Sequence, residues 1–551
     1  MAVVTVILVF LLAVIASHFL ARLLPFAVPL PLLQIALGAG LATIGFDVRF
    51  EPHLFLLLFI PPLLFLDGWR IPKGALFRDW KPILALAIGL VVFTVVGMGW
   101  FIGWLVPGVP LAVAFALAAI LSPTDPVALG AMTAGTPLPS RLTHVLEGES
   151  LLNDATGLVC FSFAVGAVMT GTFSLGRASL SFLLVAGGGL LAGLLVTWLT
   201  GWLNHRLVQR TGEEPGIQIL LSLLVPFAAY LVAESMHVSG ILAAAVAGIA
   251  MHYSELAGRP RAATRMQRTA VWDTVQLALN GTIFVLLGEQ LPRLVLELPR
   301  AASEAGTSVS NWDLAGYVLV ITLALGLLRF AWVWAALRMT VLRRTLQGTQ
   351  ARMPQSRLIA VMAAAGVRGA ITLAGILTLP LVLDDGRAFP ARELAVVLAM
   401  GVILTSLLVT SVVLPWLARG LDHDLPDPGR ADAEAAARIA ATEAAIQRIE
   451  QALASQAGRE DDSQAAYSEA GVQVLELYRR RLEYGDHGGE DAAAARRRLH
   501  AGRKLRAIGL RAERDELYRL RRARVIDDEL HSRLVREVDL AEAGLEPAPA
   551  R

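Results

Sequence analysis

A single cysteine, Cys160, stands in 551 residues, which excludes an intrachain disulfide framework and any zinc site built on paired thiolates. Charge is scarce as well: Asp, Glu, Lys and Arg make up 17% of the chain against 55% hydrophobic residues, too little polar surface to coat a water-soluble globule. A soluble enzyme is excluded. The 48 basic and 46 acidic residues cancel to a formal net charge of +2, so no field of one sign points to nucleic acid or an acidic polymer as partner. Basic residues are also missing ahead of the first apolar run, MAVVTVILVFLLAVIASHFL, which predicts a retained first helix in place of a cleaved leader. Cys160 reads as a small filler within the bilayer.

What charge there is collects at one end. The stretch from Arg419 onward is under a quarter of the chain, yet it holds roughly half of all charged residues. Composition therefore predicts a transmembrane domain at 1–418, a linker at 419–430 containing the Pro- and Asp-rich LDHDLPDPGR (Leu421 to Arg430), and a water-exposed tail at 431–551.

Apolar runs near the bilayer-spanning length recur at 3–23, 26–45, 53–69, 82–106, 109–133, 146–171, 178–203, 216–235, 238–253, 270–291, 314–340, 357–383 and 393–418. They predict an all-α membrane protein of about thirteen spans. With the tail inside, the inner loops carry Arg70, Lys73, Arg78 and Lys81, then Arg206 and Arg210, then Arg259, Arg261, Arg265 and Arg268, then Arg338, Arg343, Arg344, Arg352 and Arg357. The outer loops hold only Arg49, Arg177, Arg293, Arg300, Arg387 and Arg392. This asymmetry predicts an outer N-terminus and a cytoplasmic C-terminus; the cell inner membrane is the expected location.

Six charges inside the spans stand out: Asp67, Asp125, Glu149, Asp154, Arg329 and Arg368. Each costs about 2.5–3.5 kcal/mol at mid-bilayer on insertion scales, so each must be paired, neutralised or used. Together they predict an ion pathway. Pro123 and Pro126 flank Thr124 and Asp125, and proline cannot donate an amide hydrogen bond, so the fifth span opens there. Gly366 and Gly369 around Arg368 favour a second interruption in the twelfth. The two interrupted spans are seven apart in order, an odd offset, so they run in opposite directions. That predicts an inverted repeat of two six-helix halves with crossed broken helices. The half-helices then present positive ends that Asp125 compensates and negative ends that Arg368 compensates.

The sixth span supplies the chemistry. In ESLLNDATG, Ser150 and Asp154 share one helix face while Glu149 and Asn153 share the next. A dehydrated Na+ or Li+ needs several oxygens. The Asp154 carboxylate, the Ser150 hydroxyl and a carbonyl freed at Thr124 supply them, with Asp67 as a further donor. Glu149 pairs with Arg368 or Arg329, and Asn153 bonds Thr124 to brace the break.

At SPTDPVA, GESLLNDATG and GVRGA the sequence resembles the monovalent cation:proton antiporters, in particular the electroneutral Na+/H+ exchanger branch with an Asn-Asp pair. The likeness extends over the membrane domain, including VSGILAAAVAGIAM (Val238 to Met251). It implies that Asp154 is the carrier carboxylate and Asn153 its preceding partner. It likewise implies that Thr124 and Asp125 are the pair of the broken helix, that Ser150 and Glu149 are the residues just before the Asn-Asp pair, that Arg368 is the arginine of the Gly-x-Arg-Gly motif and that Arg329 is the second buried arginine. A homodimer, transported monovalent cations and protons, and no cofactor are implied too. One departure is that the family acid of the PPLLF-type helix usually falls slightly earlier than Asp67.

The tail resembles that of the longer bacterial members, ending in VIDDELHSRLVREVDLAEAGLE, and its apolar residues at three- and four-residue spacing predict several cytoplasmic helices. Packing, dimer contact and autoregulation are the roles open to it. For the whole protein the expectation is electroneutral 1:1 exchange, with H+ and cation competing for Asp154. A Na+-coupled symporter or channel is the alternative, although no polar or aromatic cluster is placed to bind an organic solute. An intramembrane aspartyl protease built on Asp125 and Asp154 is more remote, since such enzymes need two carboxylates sharing a proton.

Overall fold

The computed structural model describes residues 2–24, 28–45, 52–133, 138–171, 175–258, 261–304, 311–346, 356–383, 386–419, 428–456, 469–479, 490–523, 525 and 528–543. Arg49, Arg259 and Arg352 of the expected loops, and 420–427 of the expected linker, lie outside them. Among the described residues regular structure is helical, apart from one isolated bridge between Val382 and Ala388. In lipid every backbone polar group must be satisfied internally, and a helix does this within its own segment. The chain divides into two compact units, Met1–Leu425 and Pro426–Arg551.

The first unit runs α1 (Ala2–Leu23), α2 (Leu30–Thr43), α3 (Pro52–Arg70), α4 (Lys73–Arg78), α5 (Trp80–Leu84), a π-helical turn (Ala85–Leu90), α6 (Val91–Leu105), α7 (Leu111–Leu121), α8 (Pro126–Thr133), α9 (Ser140–Thr170), α10 (Leu175–Thr211), α11 (Pro215–Ser235), α12 (Gly240–Gly258), α13 (Ala262–Glu304), α14 (Asn311–Leu346), α15 (Ser356–Ala364), α16 (Ala370–Leu377) and α17 (Arg392–Ala418). Among the described residues, eight helices are long and apolar enough to cross a bilayer, and three shorter apolar helices accompany them. The apolar run at 109–133 is the α7–α8 pair, and that at 357–383 is the α15–α16 pair. The runs at 178–203 and 270–291 lie inside helices of 37 and 43 residues. Apolar length marks the membrane, whereas a helix already nucleated propagates cheaply into polar flanks.

Two helix crossings hold this unit at close quarters. Where α2 meets α13, a methyl group on Gly38 would strike the Val285 carbonyl, and one on Gly288 would strike the Ile35 carbonyl. Where α3 meets α12, Gly68 faces the Ala245 carbonyl and Gly248 the Phe65 carbonyl in the same way. In each case the glycine touches the carbonyl three residues before its partner glycine. Small residues let backbones approach this closely and exchange Cα–H···O contacts. The second crossing seats Asp67, the neighbour of Gly68.

Helix α14 delivers two side chains, one helical turn apart, to the centre. Trp332 donates its indole N–H to the Ala85 carbonyl at 3.1 Å, at the start of the π-helical turn. Arg329 reaches α9. At the foot of α9, buried Asp79 accepts hydrogen bonds from Arg141 at 2.7 Å and Arg78 at 3.2 Å. Burial alone raises the Asp79 carboxyl; these two guanidinium groups outweigh it and hold the carboxyl below its ordinary value.

The second unit contains helices Pro428–Gln456, 469–479, Glu490–Arg522 and Asp528–Ala543. Arg479 bonds Glu450 at 3.1 Å across the first two. The last two pack through Tyr518 against buried His531, ring centroids 4.9 Å apart, and through Arg514, which pairs with Asp539 at 2.6 Å and with Glu542.

Candidate functional site

The fifth span breaks where its prolines fall. Helix α7 ends at Leu121, and α8 begins at Pro126. The stretch between them is bonded to the second break: the Asp125 amide donates to the Val367 carbonyl at 2.8 Å. That second break, between α15 and α16, is in turn anchored to α17 by the Arg368 amide, which donates to the Ser406 hydroxyl at 3.3 Å. Two interrupted helices thus cross, each finding in the other a partner for backbone groups that no helix satisfies.

Asp125 and Arg368 sit at opposite poles of this crossing. The Asp125 carboxylate accepts the Ala128 amide at 3.1 Å, in the first turn of α8, and lies against Gly369 so closely that a methyl group there would overlap it. It therefore stands at the N-termini of both α8 and α16, the positive ends of the half-helices. Buried Arg368 does the reverse. Its Nε donates to the Leu121 carbonyl at 3.0 Å, at the end of α7, and a terminal nitrogen donates to the Gly366 carbonyl just past α15.

Helix α9 passes beside the break with Glu149, Ser150, Asn153 and Asp154 all buried. Glu149 pairs with Arg329 and not with Arg368, and the Arg329 Nε also donates to the Met362 carbonyl at 2.9 Å. Asn153 donates to the Thr124 hydroxyl at 3.0 Å, and Ser150 donates to the Thr124 carbonyl. The freed carbonyl at Thr124 is thus already engaged by the Ser150 hydroxyl, with a lone pair remaining on each oxygen.

The carboxylate of Asp154 has neither a hydrogen bond nor an ion pair among the described residues, and the same is true of Asp67. Both line a partly open cavity together with Thr124, Asp125, Asn280 and Thr372. Ser150 is not among the lining residues; it reaches the cavity wall through Thr124. Asn280 of α13 and Thr372 of α16 were not among the candidates read from the sequence. The signal for Asn280 was an uncharged amide in the apolar stretch LALNGTIFVLLG, which a search for intramembrane charge passes over.

A crossing of two broken helices, charge-compensated at both poles and opening onto an unpaired buried carboxylate, directs attention to ion carriers. The sodium/hydrogen exchanger transmembrane family matches residues 6–420. This chain belongs to that family. Among relatives of this exchanger, the uncharacterized Na+/H+ exchanger YjcE of Escherichia coli is 43% identical over 546 residues, 98% of each chain. The sodium, potassium, lithium and rubidium/H+ antiporter of Bacillus subtilis is 42% identical over 418 residues, 75% of this chain and 61% of that one. Among solved structures, the sodium proton antiporter MjNhaP1 of Methanocaldococcus jannaschii matches with a TM-score of 0.57 at 18% identity, over 76% of this chain and 99% of that one. The exchanger is thus a multi-pass membrane protein with the antiporter fold.

Proposed function

We propose that this exchanger swaps Na+, or another alkali cation, for H+ in a 1:1 electroneutral cycle, with the two ions competing for Asp154. The observation that carries the reading is the state of that side chain: buried, unpaired and facing the cavity where the broken helices cross. Loss of hydration disfavours a bare carboxylate, so a proton and a cation are alternative means of neutralising it. Only the neutralised carrier then crosses the barrier, which forbids leakage of the empty form. The Thr124 oxygens and Asp67 complete the cation shell, while Ser150 and Asn153 hold Thr124 in place. Asp125, Arg368 and the Glu149–Arg329 pair act as structural support. The name of the Bacillus subtilis relative includes four alkali ions, which supports a site built for that class.

Alternating access then follows from movement of the broken-helix bundle against a scaffold that includes α2, α3, α12 and α13. An inverted repeat is supported by the two glycine crossings. Exchanging the second span with the ninth and the third with the tenth carries the α2–α13 contact onto the α12–α3 contact. Residues 1–418 form the exchange domain, 419–430 the linker and 431–551 a cytoplasmic tail, with the protein a homodimer in the plasma membrane.

Proteoliposomes loaded with Na+ and diluted into Na+-free buffer test this reading. The expected result is acidification of the lumen without membrane current, abolished by Asp154→Ala. A steady current that tracks Na+ efflux, or undiminished acidification in the variant, would contradict it.

A further inference from the structure

We propose that Asn280 is a ligand of the transported cation, supplied to the same cavity as Asp154 from a different helix, and that its amide oxygen helps set which alkali ion is accepted. The proposal deepens the reading of Asp154 as carrier and rests on it.

The cavity has two walls of different origin. Asp154 comes from α9, Thr124 from the first break and Thr372 from α16. Asp67 comes from α3 and Asn280 from α13, two helices held by the glycine crossings. Asn280 is therefore the neutral amide of the second wall. Its side chain has no hydrogen-bond partner among the described residues, although it is half-buried within a membrane-spanning helix. The amide faces the cavity and is not sealed within apolar packing, so its oxygen is free to meet an ion there.

The position of the amide is closely set. At the next residue, Gly281, a methyl group would meet Val14 at 2.6 Å and the Gln34 amide nitrogen at 3.1 Å. Helices α1 and α2 thus press directly on the backbone that carries Asn280, so its side chain is presented from a rigid base. Alkali ions take neutral carbonyl oxygens readily, and selection among them depends on the number and placement of those oxygens. A carboxylate such as Asp154 serves proton and cation alike. An amide has no proton to exchange near neutral pH, so Asn280 acts on the cation alone. Because it stands on the scaffold side, it also becomes a ligand gained or lost as the broken-helix bundle moves.

The test measures initial rates of Na+, Li+ and K+ exchange in proteoliposomes for the full chain, Asn280→Ala, Asn280→Asp and Asp154→Asn. For Asn280→Ala the cation KM should rise by about tenfold, as for one lost ligand, by more than the maximal rate falls, and with an altered Na+ to K+ preference. Asn280→Asp keeps the size of the side chain and adds a titratable group. It should add a second pH-dependent component to the cation KM, beyond the one that competition at Asp154 already produces in the parent, which a role limited to packing would not do. Unchanged KM values and ion preference in both Asn280 variants, with exchange lost in Asp154→Asn, would overturn the proposal and leave the carrier reading standing. Full exchange in Asp154→Asn would overturn both.

Discussion

Arg329 and Glu149 form a two-pronged ion pair between α14 and α9: each terminal guanidinium nitrogen reaches one carboxylate oxygen, one of them at 2.7 Å, with the side chains 2% and 1% exposed. A buried pair of this kind stabilises little relative to apolar residues, but removing one partner strands a charge. Glu149→Gln or Arg329→Met alone should destabilise the protein by about 3–5 kcal/mol. The double variant should cost much less than the sum. Thermal unfolding in detergent, analysed as a double-mutant cycle, checks this, and additive losses would show that the pair is not coupled.

Gly369 is the point at which the Asp125 carboxylate meets the start of α16. The added methyl of Gly369→Ala must displace that carboxylate from two helix N-termini. Exchange should fall at least tenfold, since each positive end loses its compensating charge. Gly40, in α2, has nothing within 4 Å of an added methyl, so Gly40→Ala should be silent in the same transport assay. Equal activity in the two variants would refute the placement of Asp125.

How much of this was legible in the sequence depends on the residue. Proline states its effect without context, because no arrangement of neighbours restores its missing N–H; the break at Pro123–Pro126 could be read directly. Gly366 and Gly369 are more ambiguous, since glycine also serves close packing, and the crossing gives Gly369 both roles. The choice of Arg329 over Arg368 as partner of Glu149 was not legible, because it depends on how α14 and the second break are rotated toward α9. Arg368 is instead committed to the carbonyl ends of α7 and α15. Asn280 was missed for a related reason: a lone amide among apolar residues reads as helix-packing glue until the cavity it faces is known.

Asp79 gives a pH-dependent test outside the membrane spans. Its carboxyl is held below its ordinary value by Arg141 and Arg78, after burial has pulled the other way. A depressed pKa means that the stabilisation is fully present above the unfolded value, about 3.9, and is lost as the pH falls through the lower folded value. Asp79→Asn should therefore lower the unfolding temperature at neutral pH. The arginines are largely exposed, 70% for Arg141 and 65% for Arg78, so screening keeps the loss to about 1 kcal/mol. The gap between variant and parent should close below pH 4, and a gap that widened in acid would reverse the sign of the argument.

Competition at Asp154 is tested most directly by initial rates of Na+ uptake over a matrix of Na+ concentrations and pH values on the loading side of oriented proteoliposomes. If one carboxylate holds either ion but never both, acid raises the apparent KM for Na+ and sufficient Na+ restores the full rate. A maximal rate that falls with acid at saturating Na+, with KM unchanged, would mean that proton and cation are bound together, and would contradict the account.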